Sequence, residues 1–251
     1  MIKGFSKGFL AYGNALRLVH QHGLWFYVIV PGLISLLLGI GIFSLGWGAS
    51  DDIRDWMLTL YPWEWGKAAV ATAVQILGGL AIVAIGLLLF KHLVMAVTSP
   101  IMSILSEITE ARIRGFKRPV PFTLSRAAKD LIRGLRIALR NITRELLYTL
   151  LLLLLGLVLP FLSPIIPFAI FAVQAFYAGF GNIDFMLERH RDVKGSVQFA
   201  RNHRGLCLGN GSAFLLLLFT GLGFLFALPL GTVAAVKETV PLIPYDQTGS
   251  Q

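Results

Sequence analysis

One cysteine, Cys207, stands among 251 residues, so an internal disulfide framework and any multi-cysteine metal site are excluded. Charge is thin as well: 14% of residues are charged, against roughly 25% in ordinary soluble domains. The sequence contains no GxxxxGK(S/T), HExxH or paired CxxC, which leaves nucleotide hydrolysis and zinc proteolysis without a motif. The five histidines are scattered, and His20 and His22 sit two apart, where side chains on a helix diverge. No metal and no cofactor is expected. An intramembrane enzyme would rest on Asp184, Glu107 and Glu110 alone; carboxylates at interface depth usually serve as helix caps or ion-pair partners. An enzyme is therefore not expected.

What the chain does have is long apolar runs. Residues 146–183 carry no charged side chain; a soluble core helix does not stay apolar on every face for so long, so hydrocarbon is the expected surroundings. Pro160, Ser163, Pro164 and Pro167 interrupt this run near its middle, where a straight helix would lose amide donors and meet ring clashes. Two arms joined by a bend, a hairpin over 146–187, fit better. Residues 24–49 form a first span, with Trp25, Tyr27 and Trp47 as interfacial anchors. Residues 68–98 form a second, with Gly78, Gly79 and Gly86 allowing close helix approach. A last apolar run over 206–236, loosened by Gly221, Gly223, Pro229 and Gly231, reads as another hairpin.

Amphipathic segments connect these runs. In the segment 4–20, Phe5, Phe9, Tyr12, Leu16 and Val19 recur at helical spacing, and the expected helix lies on the membrane surface through that stripe. Further amphipathic helices are expected over 101–114, 123–144 and 193–204. In the third of these four, Arg126, Lys129, Arg133, Arg136, Arg140 and Arg144 step by three or four and share one face. Such a helix suits contact with lipid headgroups or an anion-attracting vestibule. The fold class is an all-α integral membrane protein with two long transmembrane helices, two partly inserted hairpins and amphipathic surface helices. Residues 1–238 make one domain, and 239–251 form a disordered tail.

The net charge is +9. Because the basic residues flank apolar runs, membrane lipid is the expected partner and nucleic acid is not. Lys and Arg number three in the N-terminal segment, two in the acidic Trp-rich loop 50–67, ten in 99–145 and five in 184–205. This distribution places both termini in the cytoplasm and the acidic loop outside. Bends at membrane depth need cover from protein, which favours a homo-oligomer. Lys91 either snorkels to the interface or lines a pathway. Glu107 and Glu110 either pair with Arg112 or Arg114 on their own helix or act as a gate. Asn182 and Asp184 end the first hairpin, where polar groups satisfy loose backbone.

Ser99-Pro100 followed by Ile104-Leu105-Ser106-Glu107-Ile108-Thr109-Glu110, then Asn182-Ile183-Asp184-Phe185, the basic stretch 187–204 and the glycine-rich last hairpin resemble the CysZ sulfate permeases and the related etoposide-induced protein family. The resemblance covers roughly residues 5–238. It implies a helical, multi-pass inner-membrane protein, assembled as an oligomer, that conducts sulfate or a similar small oxyanion for cysteine synthesis. One departure concerns the anion site. Where those permeases carry a Gly-hydrophobe-Arg-Arg word, this chain has Gly23-Leu24-Trp25-Phe26. The amides of Gly23 and Leu24 can still face an anion at a helix start, with Arg17 and Lys91 as the cations that replace the missing guanidinium pair. Ser99, Glu107, Glu110, Asn182 and Asp184 are the expected gate or structural polar positions. The leading expectation is thus a passive anion permease, and the alternative is a non-transporting membrane scaffold that shapes lipid through its amphipathic helices.

Overall fold

A computed structural model describes residues 1–59, 89–115, 123–162, 164–221 and 223–244, with the side chains of 45–59, 157 and 160 excepted. Residues 60–67 of the acidic loop, the side chain of Trp47, the second span up to residue 88 with its three glycines, and the end of the tail lie outside what is described, while residues 50–59, expected as loop, continue the helix that begins at Phe26. Helix α1, Ile2–Gln21, packs through Gly8, Ala11, Ala15 and Val19, mainly on α8 and α9. Of the expected apolar stripe Val19 is buried and Tyr12 packs against the core, while Phe5 and Leu16 point outward. The reason is close approach: Gly4 and Gly8 meet Gly205, Leu206 and Gly209 backbone to backbone, an interface that small residues alone permit. Gly23, at φ +64°, reverses the chain into α2, Phe26–Thr59.

The stretch Phe26–Ser44 of α2 is long and apolar enough to cross a bilayer. Pro31 lies inside it, and the Ser35 hydroxyl donates to the Pro31 carbonyl at 2.8 Å. Val28 and Ser35 face inward, while Phe26, Ile29, Leu33, Leu37, Ile40 and Phe43 form an outward apolar stripe suited to lipid. Helix α3, Leu89–Val97, and α4, Ser99–Arg114, are bent by 66° from one another and together are long and apolar enough to form one broken span or a re-entrant loop. Thr98 marks the break and Pro100 sits in the first turn of α4, where its missing amide costs nothing. Gly115, at φ +81°, closes α4.

Helix α5 runs unbroken over Leu124–Val158 after its cap Thr123, whose hydroxyl accepts from the Arg126 amide at 3.3 Å. It changes from basic to leucine-rich without a bend, because no proline or left-handed residue marks that boundary; the surroundings change and the backbone does not. A turn at Pro160–Leu162 leads into α6, Ile166–Leu187. Asp192 caps α7, Val193–Asn202, accepting from the Gly195 amide at 2.8 Å. Helices α8, Arg204–Leu218, and α9, Phe224–Thr239, complete the chain. At a rise of 1.5 Å per residue α8 spans about 22 Å, short of a hydrocarbon core of roughly 30 Å, whereas α6 and the stretch Phe224–Leu242 are long enough to cross.

The core is formed where α6, α8, α1 and α9 press together. Val240 and Ile243, within the expected disordered tail, are buried, and the Ile243 carbonyl accepts from Arg114 Nη2 at 3.3 Å. All described regular elements are helical, as expected for the fold class.

Candidate functional site

Where α4, α5 and α6 meet, the apolar interior gives way to a layer of charge. Arg126 of α5 binds Glu107 of α4 and lies 3.8 Å from Asp130 one turn along. Arg133, two turns further on α5, donates to Asp184 of α6 at 3.0 Å and to the Ser196 hydroxyl of α7 at 3.0 Å. Arg189, just past the end of α6, crosses to α4, donating to the Ser106 hydroxyl at 2.9 Å, the Glu110 carboxylate at 3.0 Å and the Ser103 carbonyl at 3.3 Å. Glu110 also receives Arg114 Nε at 3.0 Å and stands 3.0 Å from His190 Nε2. The helical spacing of Glu107 and Glu110, and of Arg126 and Arg133, turns these side chains toward the same junction.

Two guanidinium donors in this layer have no acceptor among the described residues. The Nε atoms of Arg133 and Arg189 are buried and unbonded, and so is the Oε1 atom of Glu188. Glu188 lies 3.9 Å from Arg133 Nε. Burial pushes its carboxyl up to about 8, and the neighbouring Asp184 and Asp130 carboxylates push the same way. Asp130 is likewise raised by burial. At neutral pH Glu188 is thus largely uncharged, and an anionic acceptor near Arg133 meets one fewer negative charge.

A second polar cluster is sealed inside the helices. Asn182 Nδ2 donates to Asn210 Oδ1 at 2.7 Å, Asn210 Nδ2 donates to the Gly231 carbonyl at 3.0 Å, and the Tyr12 hydroxyl donates to the Asn210 carbonyl at 3.1 Å. It ties α1, α6, α8 and α9 together. A third joins α3 to α5: Lys91 donates to Glu145, whose other oxygen is 2.9 Å from His92 Nε2. Lys91 does not snorkel; it is 3% exposed, because Glu145 supplies the counter-charge internally.

The structure therefore brings Glu107, Glu110 and Asp184 into one ionic layer and puts Asn182 in a separate cluster. Ser99 donates to the Asp130 carbonyl at 3.2 Å, next to the layer. The amides of Gly23 and Leu24 donate within the chain, to the His20 carbonyl at 3.3 Å and the Val19 carbonyl at 3.0 Å, and Arg17 is on the exposed face of α1. Arg133 and Arg189 were not legible as site residues, because their partners lie on other helices far along the chain. Only the i, i+7 spacing of Arg126 and Arg133 hinted at a shared inward edge.

Beside the layer, a cleft of about 420 Å³ opens between α5, α6, α7 and α8. Four arginines line it, Arg140 and Arg144 from α5 with Arg201 and Arg204, along with Tyr148 and Tyr177. Arg140 lies over the Phe180 ring at 5.7 Å. None of the four is within salt-bridge distance of a carboxylate among the described residues.

Long apolar helices, one of them broken, packed around buried ionic and amide clusters define an all-α integral membrane protein with a polar interior. The chain belongs to the family described as sulfate transporter CysZ/etoposide-induced protein 2.4, whose model matches residues 11–229. Among curated proteins none matches it.

Proposed function

We propose that this protein passively conducts a small, sulfate-like oxyanion across the inner membrane. The observation that carries the reading is the pair of buried, acceptor-free guanidinium donors, Arg133 Nε and Arg189 Nε, in the junction of α4, α5 and α6. A buried N–H left without an acceptor is costly, and an oxyanion satisfies it with a charge-assisted bond. Moving a bare dianion through hydrocarbon is prohibitive, so fixed donors must replace water along any route. In this reading Asp184 and Glu110 hold the two guanidiniums at rest, and an arriving oxyanion takes the open donor positions without dismantling the layer. Membership of a family described as sulfate transporters supports the choice of anion. The absence of a nucleotide-hydrolysis motif supports passive flow, and the Lys and Arg distribution supports cytoplasmic termini.

The test is the thermal stability of the purified protein across sodium sulfate, thiosulfate, phosphate, nitrate and chloride at fixed ionic strength. Sulfate-like dianions should raise the midpoint, and Arg133→Gln with Arg189→Gln should remove the increment. Equal midpoints in all five salts would reject the reading.

A further inference from the structure

We propose that the four-arginine cleft between α5, α6, α7 and α8 is a binding site for the phosphate group of an anionic phospholipid. Its cations are crowded: Arg140 is held below the usual arginine range by burial, then by the positive charge of Arg144, with Arg201 adding to it against the opposing pull of Tyr177 and Asp184, and no carboxylate lies within salt-bridge distance of any of the four among the described residues. Guanidiniums gathered without a directly paired carboxylate repel one another, and a phosphate relieves that repulsion while accepting paired N–H bonds. The volume, about 420 Å³, holds much more than a tetrahedral oxyanion, so room remains for a headgroup.

The leucine face of α5 distinguishes a lipid from a free ion. On a 100° wheel Arg140, Arg144 and Tyr148 occupy an arc of about 80°, and Leu151, Leu155 and Val158 fall inside the same arc. These three apolar residues are 51%, 41% and 73% exposed. From Arg144 to Val158 the helix advances about 21 Å, more than the roughly 15 Å half-thickness of a hydrocarbon core. One face of one helix thus presents guanidiniums, then a tyrosine of the kind found at membrane interfaces, then an uncovered track for an acyl chain. A soluble oxyanion has no use for that track. The site is separate from the ionic layer, so its failure leaves the permease reading untouched.

The experiment uses the full chain in neutral detergent micelles doped with dioleoylphosphatidylglycerol or dioleoylphosphatidylcholine, with thermal unfolding as the readout. The glycerol lipid should raise the midpoint by several degrees over the choline lipid. Arg144→Gln combined with Arg204→Gln should weaken its apparent affinity about tenfold or more, while Arg136→Gln, an exposed arginine of α5 outside the cleft, should leave it unchanged. Ala172→Trp fills the cleft without altering charge and should abolish the increment, which keeps the test decisive if the arginine pair fails to fold. Equal stabilisation by both lipids would overturn the proposal, as would an equal loss in Arg136→Gln. So would stabilisation by sodium sulfate or phosphate that disappears in the same cleft variants, since that outcome marks a solute site.

Discussion

The ammonium of Lys91 and the carboxylate of Glu145 meet where neither side chain reaches the surface, joining α3 to the middle of α5. Removing one partner leaves the other as an uncompensated buried charge, which costs about 3–5 kcal/mol. Glu145→Gln should therefore lower the unfolding midpoint strongly, and Lys91→Met with Glu145→Leu should recover much of the loss. A double variant no more stable than Glu145→Gln would show that the ion pair is not the cause.

Glycine spacing makes a second prediction. A Cβ at Gly179 would collide with the Cys207 carbonyl oxygen, and one at Gly211 with the Ala175 carbonyl oxygen, whereas at Gly13 it would meet nothing within 4 Å. Backbone that cannot yield makes overpacking costly, about 1–3 kcal/mol or more. Gly179→Ala and Gly211→Ala should lower the midpoint in micelles, and Gly13→Ala should hold or raise it, by up to about 1 kcal/mol from helix propensity. The reverse order would mean that α6 and α8 do not touch through these residues.

Glu188 supplies the pH dependence. Its folded value of about 8 lies above the ordinary 4.5, so between these values the folded state holds a proton that the unfolded state has released. Its contribution to stability then falls as pH rises from about 4.5 and levels off above about 8. Flux should follow the same limb, because ionised Glu188 places a negative charge beside Arg133. The expected result is sulfate flux that declines through about pH 8, with Glu188→Gln flattening the profile. An unchanged profile in that variant would remove Glu188 from the account.

Arg189 spans α6 and α4 with bonds to Ser106 and Glu110 at 2.9 and 3.0 Å, and its open Nε faces the same junction. Arg189→Gln should lower flux about tenfold or more, the worth of a charge-assisted bond, while circular dichroism stays helical. Arg136→Gln, outside the layer and the cleft, should conduct as the unaltered chain does. Equal flux in both variants would exclude Arg189 from the route.

The elements were largely legible in the sequence, and the contacts between them were not. Composition and the uncharged run over 146–183 disclosed a helical membrane protein, and Ser99-Pro100 marked the break at Thr98. The continuity of α5 was hidden, because a change from arginine to leucine looks like a boundary although the backbone has no reason to stop. The packing face of α1 was hidden too: apolar periodicity pointed to Phe5 and Leu16, while the i, i+4 glycines, Gly4 with Gly8 and Gly205 with Gly209, determined the contact. Glu107 and Glu110 stood out as candidate positions, yet their principal partners, Arg126 and Arg189, lie on other elements. Local spacing predicts pairs within a helix, such as Glu110 with Arg114, and is silent about ion pairs made by tertiary packing. Lys91 shows the same limit, since a lone cation near the end of an apolar run gives no sign of Glu145 some fifty residues away.

The most direct test of the central claim is radiolabelled sulfate uptake into proteoliposomes holding the purified chain, driven only by the sulfate gradient, with neither ATP nor an imposed ion gradient. The account predicts protein-dependent uptake that saturates with sulfate concentration and falls sharply when Arg133 and Arg189 are both changed to Gln. Uptake equal to that of empty vesicles at high protein load would contradict it.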